Sequence, residues 1–117
     1  MATQSPRDNQ RIIRYQDGSA SVYHEIDRKR LQLKQKHLHY KEATVGERRY
    51  WDAYVAGTRI TRAIYVPYDA DVDYGDIVII NGLQYQVVQK DFRDNVRPTS
   101  WLLSLHNAPI KYTEVEA

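Results

Sequence analysis

The sequence contains no cysteine. That removes disulfide staples, thiolate zinc sites and a cysteine nucleophile, and it leaves the redox compartment open. Four histidines (His24, His37, His39, His106) are too scattered to announce a metal cluster. No apolar run approaches the ~20 residues that a membrane-spanning helix needs, and residues 1–10 hold no apolar stretch of the kind a secretory leader requires. These absences predict a soluble chain made in the cytoplasm, with no membrane partner. Nucleophile elbows, phosphate-cradling glycine loops and His-Glu-x-x-His patterns are also missing, so no enzyme activity and no cofactor are expected.

What is present is small and polarised. The 117 residues suffice for one domain with one core. The net charge of +2 conceals two unlike halves: residues 1–62 carry 13 Lys/Arg against 7 Asp/Glu (+6), and residues 63–117 carry 4 against 8 (−4). Such a split suits a subunit that meets partners of opposite sign on two faces. Ten tyrosines and two tryptophans accompany a single phenylalanine. Tyrosine and tryptophan join apolar area to a polar tip, which serves either a protein interface or a small core filled with large rings.

The pattern along the chain is mainly β. Residues 1–10 form a polar arm without structure. Arg11–Tyr15 predicts a short strand closed by Asp17-Gly18, and residues 19–27 alternate weakly as a strand. In Arg28–Lys41 the apolar positions change phase: Leu31 and Leu33 share one parity, Leu38 and Tyr40 the other. A bulge or break at 34–37 would reconcile them, and helix is the competing reading. Thr44-Val-Gly-Glu47 has capping-box spacing, predicting a short helix over 47–56 that stops at Gly57. Further strands follow. Arg59–Val66 puts Ile60, Ile64 and Val66 on one face, Asp76–Ile80 and Leu83–Gln89 flank the hairpin signal Asn81-Gly82, and Ser100–Leu105 aligns Trp101, Leu103 and Leu105. The expected fold is a small antiparallel β-barrel or sandwich over 11–107, with one short inserted helix, a projecting loop at 41–59 and flexible termini that include a charged tail at 108–117.

Two local patterns invite a metal reading, and neither sustains it. Asp69-Ala-Asp-Val-Asp-Tyr-Gly-Asp76 spaces oxygen ligands like a calcium loop, but its glycine comes one position late and Ile80 stands where a bidentate glutamate belongs. A solvated connection between strands accounts for it. His37-Leu-His39 would set two imidazoles on one strand face without a third ligand. The basic stretch is more productive: six Lys/Arg and no acid lie between Arg28 and Lys41, extended by Arg48, Arg49, Arg59 and Arg62. Such a surface is either a solvated strand face or, repeated around a ring, a positive collar for phosphates.

Glu47–Gly57, Ile60–Tyr68 and Ile77–Val87, in this order and spacing, resemble the head-tail joining (stopper) proteins of tailed bacteriophages. The aromatic pair followed by alanine and glycine is carried by Tyr50, Trp51, Ala53 and Gly57. The acidic connection runs from Tyr65 to Asp76, the glycine hairpin spans Ile77–Val87, and the closing leucine-rich strand is Trp101–Leu105. The similarity covers roughly residues 40–106. It implies a small barrel forming a homo-oligomeric ring in the virion neck, below portal and adaptor proteins and above the tail terminator and tail. That ring would help retain double-stranded DNA without base specificity and offer a tail-docking surface. A loop projecting into the channel corresponds to about residues 41–59, with Thr44, Glu47, Arg48, Arg49, Tyr50, Trp51 and Gly57 as candidate gating positions. Lys34, Lys36, Lys41, Arg59 and Arg62 are the candidate DNA-facing cations, and Tyr54, Tyr65 and Tyr68 the candidate subunit contacts. Two alternatives stand beside this one. A small OB-like barrel would bind single-stranded nucleic acid as an isolated monomer, and a tail terminator would occupy another place in the neck.

Overall fold

The computed structural model describes residues 11–43 and 61–116. Among them are nine strands: β1 (Arg11–Ile12), β2 (Gly18–Glu25), β3 (Arg30–Glu42), β4 (Arg62–Pro67), β5 (Ile77–Ile80), β6 (Leu83–Arg93), β7 (Val96–Arg97), β8 (Ser100–Asn107) and β9 (Glu114–Glu116). The main sheet runs β2-β5-β6-β8-β4-β3, and β2 pairs in turn with β3. Every step of that circuit is antiparallel, so six strands close on themselves as a barrel. β3 makes the closure possible through its length. Leu31–Tyr40 pair with β2, while Lys41 and Glu42 pair with β4. β9 adds to the outer border of β3 in parallel, and β1 with β7 forms a separate two-stranded ribbon. The predicted helix over 47–56 lies outside the described residues.

The bulge expected at 34–37 of β3 is present, but its effect differs from the one the sequence suggests. Two register shifts occur against β2, and His37 takes φ 56° at one of them. They do not bring the leucines to one face. Leu38 and Tyr40 enter the barrel core with Val22, Ile64, Val78, Val87 and Leu103, while Leu31 and Leu33 pack outside the barrel with Tyr23, Ile77 and Tyr112. The strand therefore serves two cores, one on each side of the wall. β4 does the same: Ile64 and Val66 face inward, and Ala63 and Tyr65 face an outer layer with Ile13, Val96 and Leu102.

Those outer layers are covered by the chain's own ends. Only Arg11 and Ile12 of the predicted Arg11–Tyr15 strand pair as strand, because Ile13 and Tyr15 are used to cap the β4/β8 wall. The segment after Pro109 is likewise not a loose tail as far as it is described. The Gln84 side chain imitates a strand neighbour: its amide donates to the Tyr112 carbonyl at 2.9 Å and its carbonyl accepts from the Tyr112 N–H at 2.8 Å. Tyr112 is buried, and its hydroxyl donates to the Glu25 carboxylate. Burial pushes the Tyr112 hydroxyl up to about 12, and the Glu25 charge adds to the effect. A raised folded value means that the stabilisation is whole below the ordinary pKa of 10.0 and is lost as pH climbs from there towards 12. An alkaline titration followed by circular dichroism should show this loss in the parent and a flatter profile in Tyr112→Phe. Parallel profiles would rule it out.

Gly18 illustrates a glycine demanded by space rather than by φ. A Cβ at that position would meet the Tyr40 hydroxyl at 2.5 Å and its Cζ at 2.8 Å. The ring cannot swing aside, because it is buried in the barrel core and its hydroxyl accepts from Arg62 Nη2 at 3.1 Å. Gly→Ala at an unstrained, open position stabilises by roughly 0.5–1 kcal/mol through the unfolded chain. At Gly18 the sign should reverse, with a net loss of about 1–3 kcal/mol from overpacking. A urea midpoint that stays put or rises in Gly18→Ala would show the contact to be soft.

Candidate functional site

The barrel has two unlike ends, fixed by register. Lys41 and Glu42 pair with Tyr65 and Ile64, so β3 ends where β4 begins, and residues 44–60 join them there. The Asn81-Gly82 turn sits at the same end, with φ 52° and 80° as a type I′ hairpin requires. At the opposite end the connection 68–76 crosses from β4 to β5. Its Tyr68, Asp69, Asp71, Asp73 and Tyr74 are exposed, as a solvated link would have them, but Val72 and Asp76 are not. Val72 is buried in the barrel core, so this connection closes that end as a lid.

Two lysines hold the lid. Lys34 Nζ lies 2.6 Å from Asp76, 3.1 Å from Asp73 and 3.5 Å from Asp71. The spacing of carboxylates that looks like a calcium loop thus surrounds an ammonium belonging to the chain. Asp76 is nearly inaccessible and also accepts the Asp73 N–H at 2.8 Å. Burial alone would lower the Lys34 pKa, but hydrogen bonds and charge from Asp76 and Asp73 outweigh it and hold the ammonium well above the ordinary lysine range. The reciprocal hydrogen bond from Lys34 keeps the Asp73 carboxyl below its usual value. From the other wall, Lys90 Nζ donates to the Val72 carbonyl at 2.9 Å.

Beside the lid lies an exposed aromatic cluster. The Tyr68 and Trp101 rings stack at 5.6 Å with 19° between planes, and Phe92 meets both edge-on at 5.6 and 5.5 Å. Trp101 Nε1 donates to the Tyr68 carbonyl at 2.9 Å, and Lys90 Nζ sits 4.2 Å from the Trp101 ring centre. Tyr68 is 57% exposed and Phe92 48%. Rings this open, fixed on a closed barrel, form an apolar patch suited to another protein surface. No family model, no curated protein and no solved structure matches the chain.

The residues singled out from sequence separate into three groups. Thr44, Glu47, Arg48, Arg49, Tyr50, Trp51, Tyr54, Gly57 and Arg59 lie outside the described residues. Tyr65 is not available as a subunit contact: it is 2% exposed and belongs to the outer layer with Leu102. Its alternation partner in sequence, Val66, faces the barrel core, so both faces of β4 are buried and no tyrosine there can reach a neighbour. Tyr68 keeps its candidacy. Three of the cations are engaged within the chain: Lys34 as above, Lys41 with Asp17 at 3.4 Å, and Arg62 with Glu42 at 3.0 Å while lying over the Tyr40 and Tyr85 rings. Lys36 is exposed, beside the equally exposed His37 and His39. Phe92, Trp101 and Lys90 are functional candidates that the sequence pattern did not bring together. The available signal was the lone phenylalanine, at an exposed position in a strand whose other apolar residues are mostly inward.

Proposed function

We propose that this chain is a structural subunit of the neck of a tailed bacteriophage, a stopper that rings the channel beneath the portal and adaptor, helps retain packaged DNA and offers the tail its docking surface. The observation that carries the reading is how residues 44–60 are mounted. They leave and re-enter a closed, filled barrel between two paired strands, and both feet are clamped. The Ala43 N–H donates to the Ala63 carbonyl at 2.9 Å, and the Thr61 N–H and hydroxyl both donate to the Leu105 carbonyl, at 2.9 and 3.2 Å. An insertion held this way can change conformation without disturbing the barrel, which a channel-closing element needs. The resemblance over residues 40–106 points to the same segment.

Three of the candidate cations, Lys34, Lys41 and Arg62, are paired with carboxylates of the chain itself, which makes them less available to phosphates than unpaired cations would be. Replacing residues 46–60 by Asn-Gly is the direct test: the barrel should fold, and filled heads completed with the variant should leak DNA.

A further inference from the structure

The turn that fixes the β5–β6 hairpin also carries reactive chemistry. Asn81 and Gly82 are both exposed, and a Cβ built on Gly82 would meet nothing within 4 Å. Ile80 and Leu83 pair with each other, which leaves the Gly82 N–H outside the ladder. Among the described residues, neither that N–H nor the Asn81 carboxamide has a hydrogen-bond partner. A free carboxamide followed by an unhindered, unengaged amide nitrogen is open to internal attack.

The same chain shows what sets Asn81 apart. Asn95 and Asn107 are also exposed, but Val96 and Ala108 follow them, and a side chain there crowds the approach to Cγ. Asp17 does precede a glycine, yet its carboxylate accepts the Glu42 N–H at 2.7 Å and faces Lys41. Its Gly18 is paired with Tyr40 in the sheet.

We propose that Asn81 is a site of spontaneous, irreversible modification that converts through a succinimide to isoaspartate and aspartate. The Gly82 nitrogen gives up its proton to base and bonds to Asn81 Cγ. The bond from Cγ to the carboxamide nitrogen breaks, and that nitrogen takes a proton from solvent and leaves as ammonia. Water then opens the ring. Attack at Cγ restores the normal main chain as aspartate, and attack at the former main-chain carbonyl gives the isoaspartyl linkage. Ring closure turns Asn81 out of its left-handed conformation, so it proceeds when the hairpin tip opens, and loop tips open at small cost.

The fold gives the two products unlike consequences. Asp-Gly suits a type I′ turn as Asn-Gly does, so aspartate leaves the hairpin intact and adds a negative charge. Isoaspartate lengthens the loop by one main-chain atom. Ile80, buried in the barrel core, then loses its register with Leu83. This chemistry needs no partner and is independent of a place in the neck.

Full-length protein held for several weeks in a mildly alkaline buffer, then mapped by mass spectrometry of its peptides, provides the test. Asn81 should convert roughly tenfold faster than Asn95 and Asn107 in the same sample, a barrier lower by about 1.4 kcal/mol. Both isomeric acidic peptides should form, and the urea midpoint should fall as isoaspartate accumulates. Fresh Asn81→Asp should keep the parent's midpoint. Asn81→Gly, which also suits the turn, should hold its own midpoint throughout the incubation. Equal conversion at the three asparagines overturns the proposal, as does conversion of Asn81 only in urea, where the hairpin no longer exists. A midpoint that falls equally in aged Asn81→Gly, or in fresh Asn81→Asp, removes the isoaspartyl linkage as the cause of the loss.

Discussion

Heads completed with a chain in which Asn-Gly replaces residues 46–60 should lose their packaged DNA and most of their infectivity, while the variant subunit itself stays folded. Glu42 stands opposite Ile64 and the Ala43 N–H reaches Ala63. The feet of the connection therefore already stand one strand spacing of ~4.8 Å apart, a gap that a short Asn-Gly hairpin can close. Shortening the connection also lowers the entropy cost of closing it, by ~0.6 kcal/mol for each halving, so the thermal midpoint should hold or rise. The functional loss then has to come from the missing segment. DNA release is read by nuclease sensitivity of purified particles. Tyr50→Ser and Trp51→Ser, made in the full-length chain, form a second arm that keeps the segment's length. Nuclease-resistant, infective particles from all three variants would refute the channel-closing role.

Lys34→Met should lower stability by about 2–3 kcal/mol, a loss typical of charged hydrogen bonds removed from a largely buried acceptor. The methionine retains most of the aliphatic stem, so the effect isolates the charge. Without the ammonium, the nearly inaccessible Asp76 keeps the Asp73 N–H at 2.8 Å and the more distant His24 Nδ1 at 3.8 Å, and Asp71 and Asp73 repel each other across the gap. Lys34 is itself partly reached by solvent, which keeps the expected loss below that of a fully enclosed pair. Adding Asp76→Asn should recover part of it. The pH dependence carries a second signature. The folded Asp73 carboxyl lies below its ordinary 3.8, so its contribution is whole above that value and disappears as pH falls through the lowered one. Lys34→Met should flatten the acid limb of the stability profile. Unchanged urea midpoint and acid limb would mean that Lys34 is a surface cation after all, available to DNA.

Much of the barrel could be read locally. Asn81-Gly82 admits one tight hairpin because two successive positive φ values exclude most other residues, and Ile77–Ile80 pairs with Leu83–Gln86 as that turn dictates. Trp101, Leu103 and Leu105 align because strand geometry repeats every second residue. The β3 leucines could not be assigned in the same way. Parity says that Leu31 and Leu38 lie on opposite faces, but only the arrival of Tyr112 from the far end of the chain makes both faces apolar. The same limit affected Tyr65, whose burial depends on Ile13 and Val96, residues distant in sequence that cover the β4 wall.

The candidate site was legible in part. Tyr68 was identifiable as an aromatic beyond a strand-ending proline, a place where a ring has no strand partner to hide it. Lys34 was identifiable only as a charge. That its partners are Asp71, Asp73 and Asp76 depends on β3 and the β4–β5 connection meeting at one barrel end.

The order of residues by itself determined a β-rich chain, the position of its tightest turn, the alternation of its inner faces and the division of charge between its halves, because each follows from geometry repeating over a few neighbours. Tertiary structure alone decided that six strands close, that the chain's own ends cover the outside, that the acidic connection is locked by an internal ammonium, and that Tyr68, Phe92 and Trp101 form one patch. Those outcomes join residues tens of positions apart, and no local preference specifies which distant partner will share a buried surface.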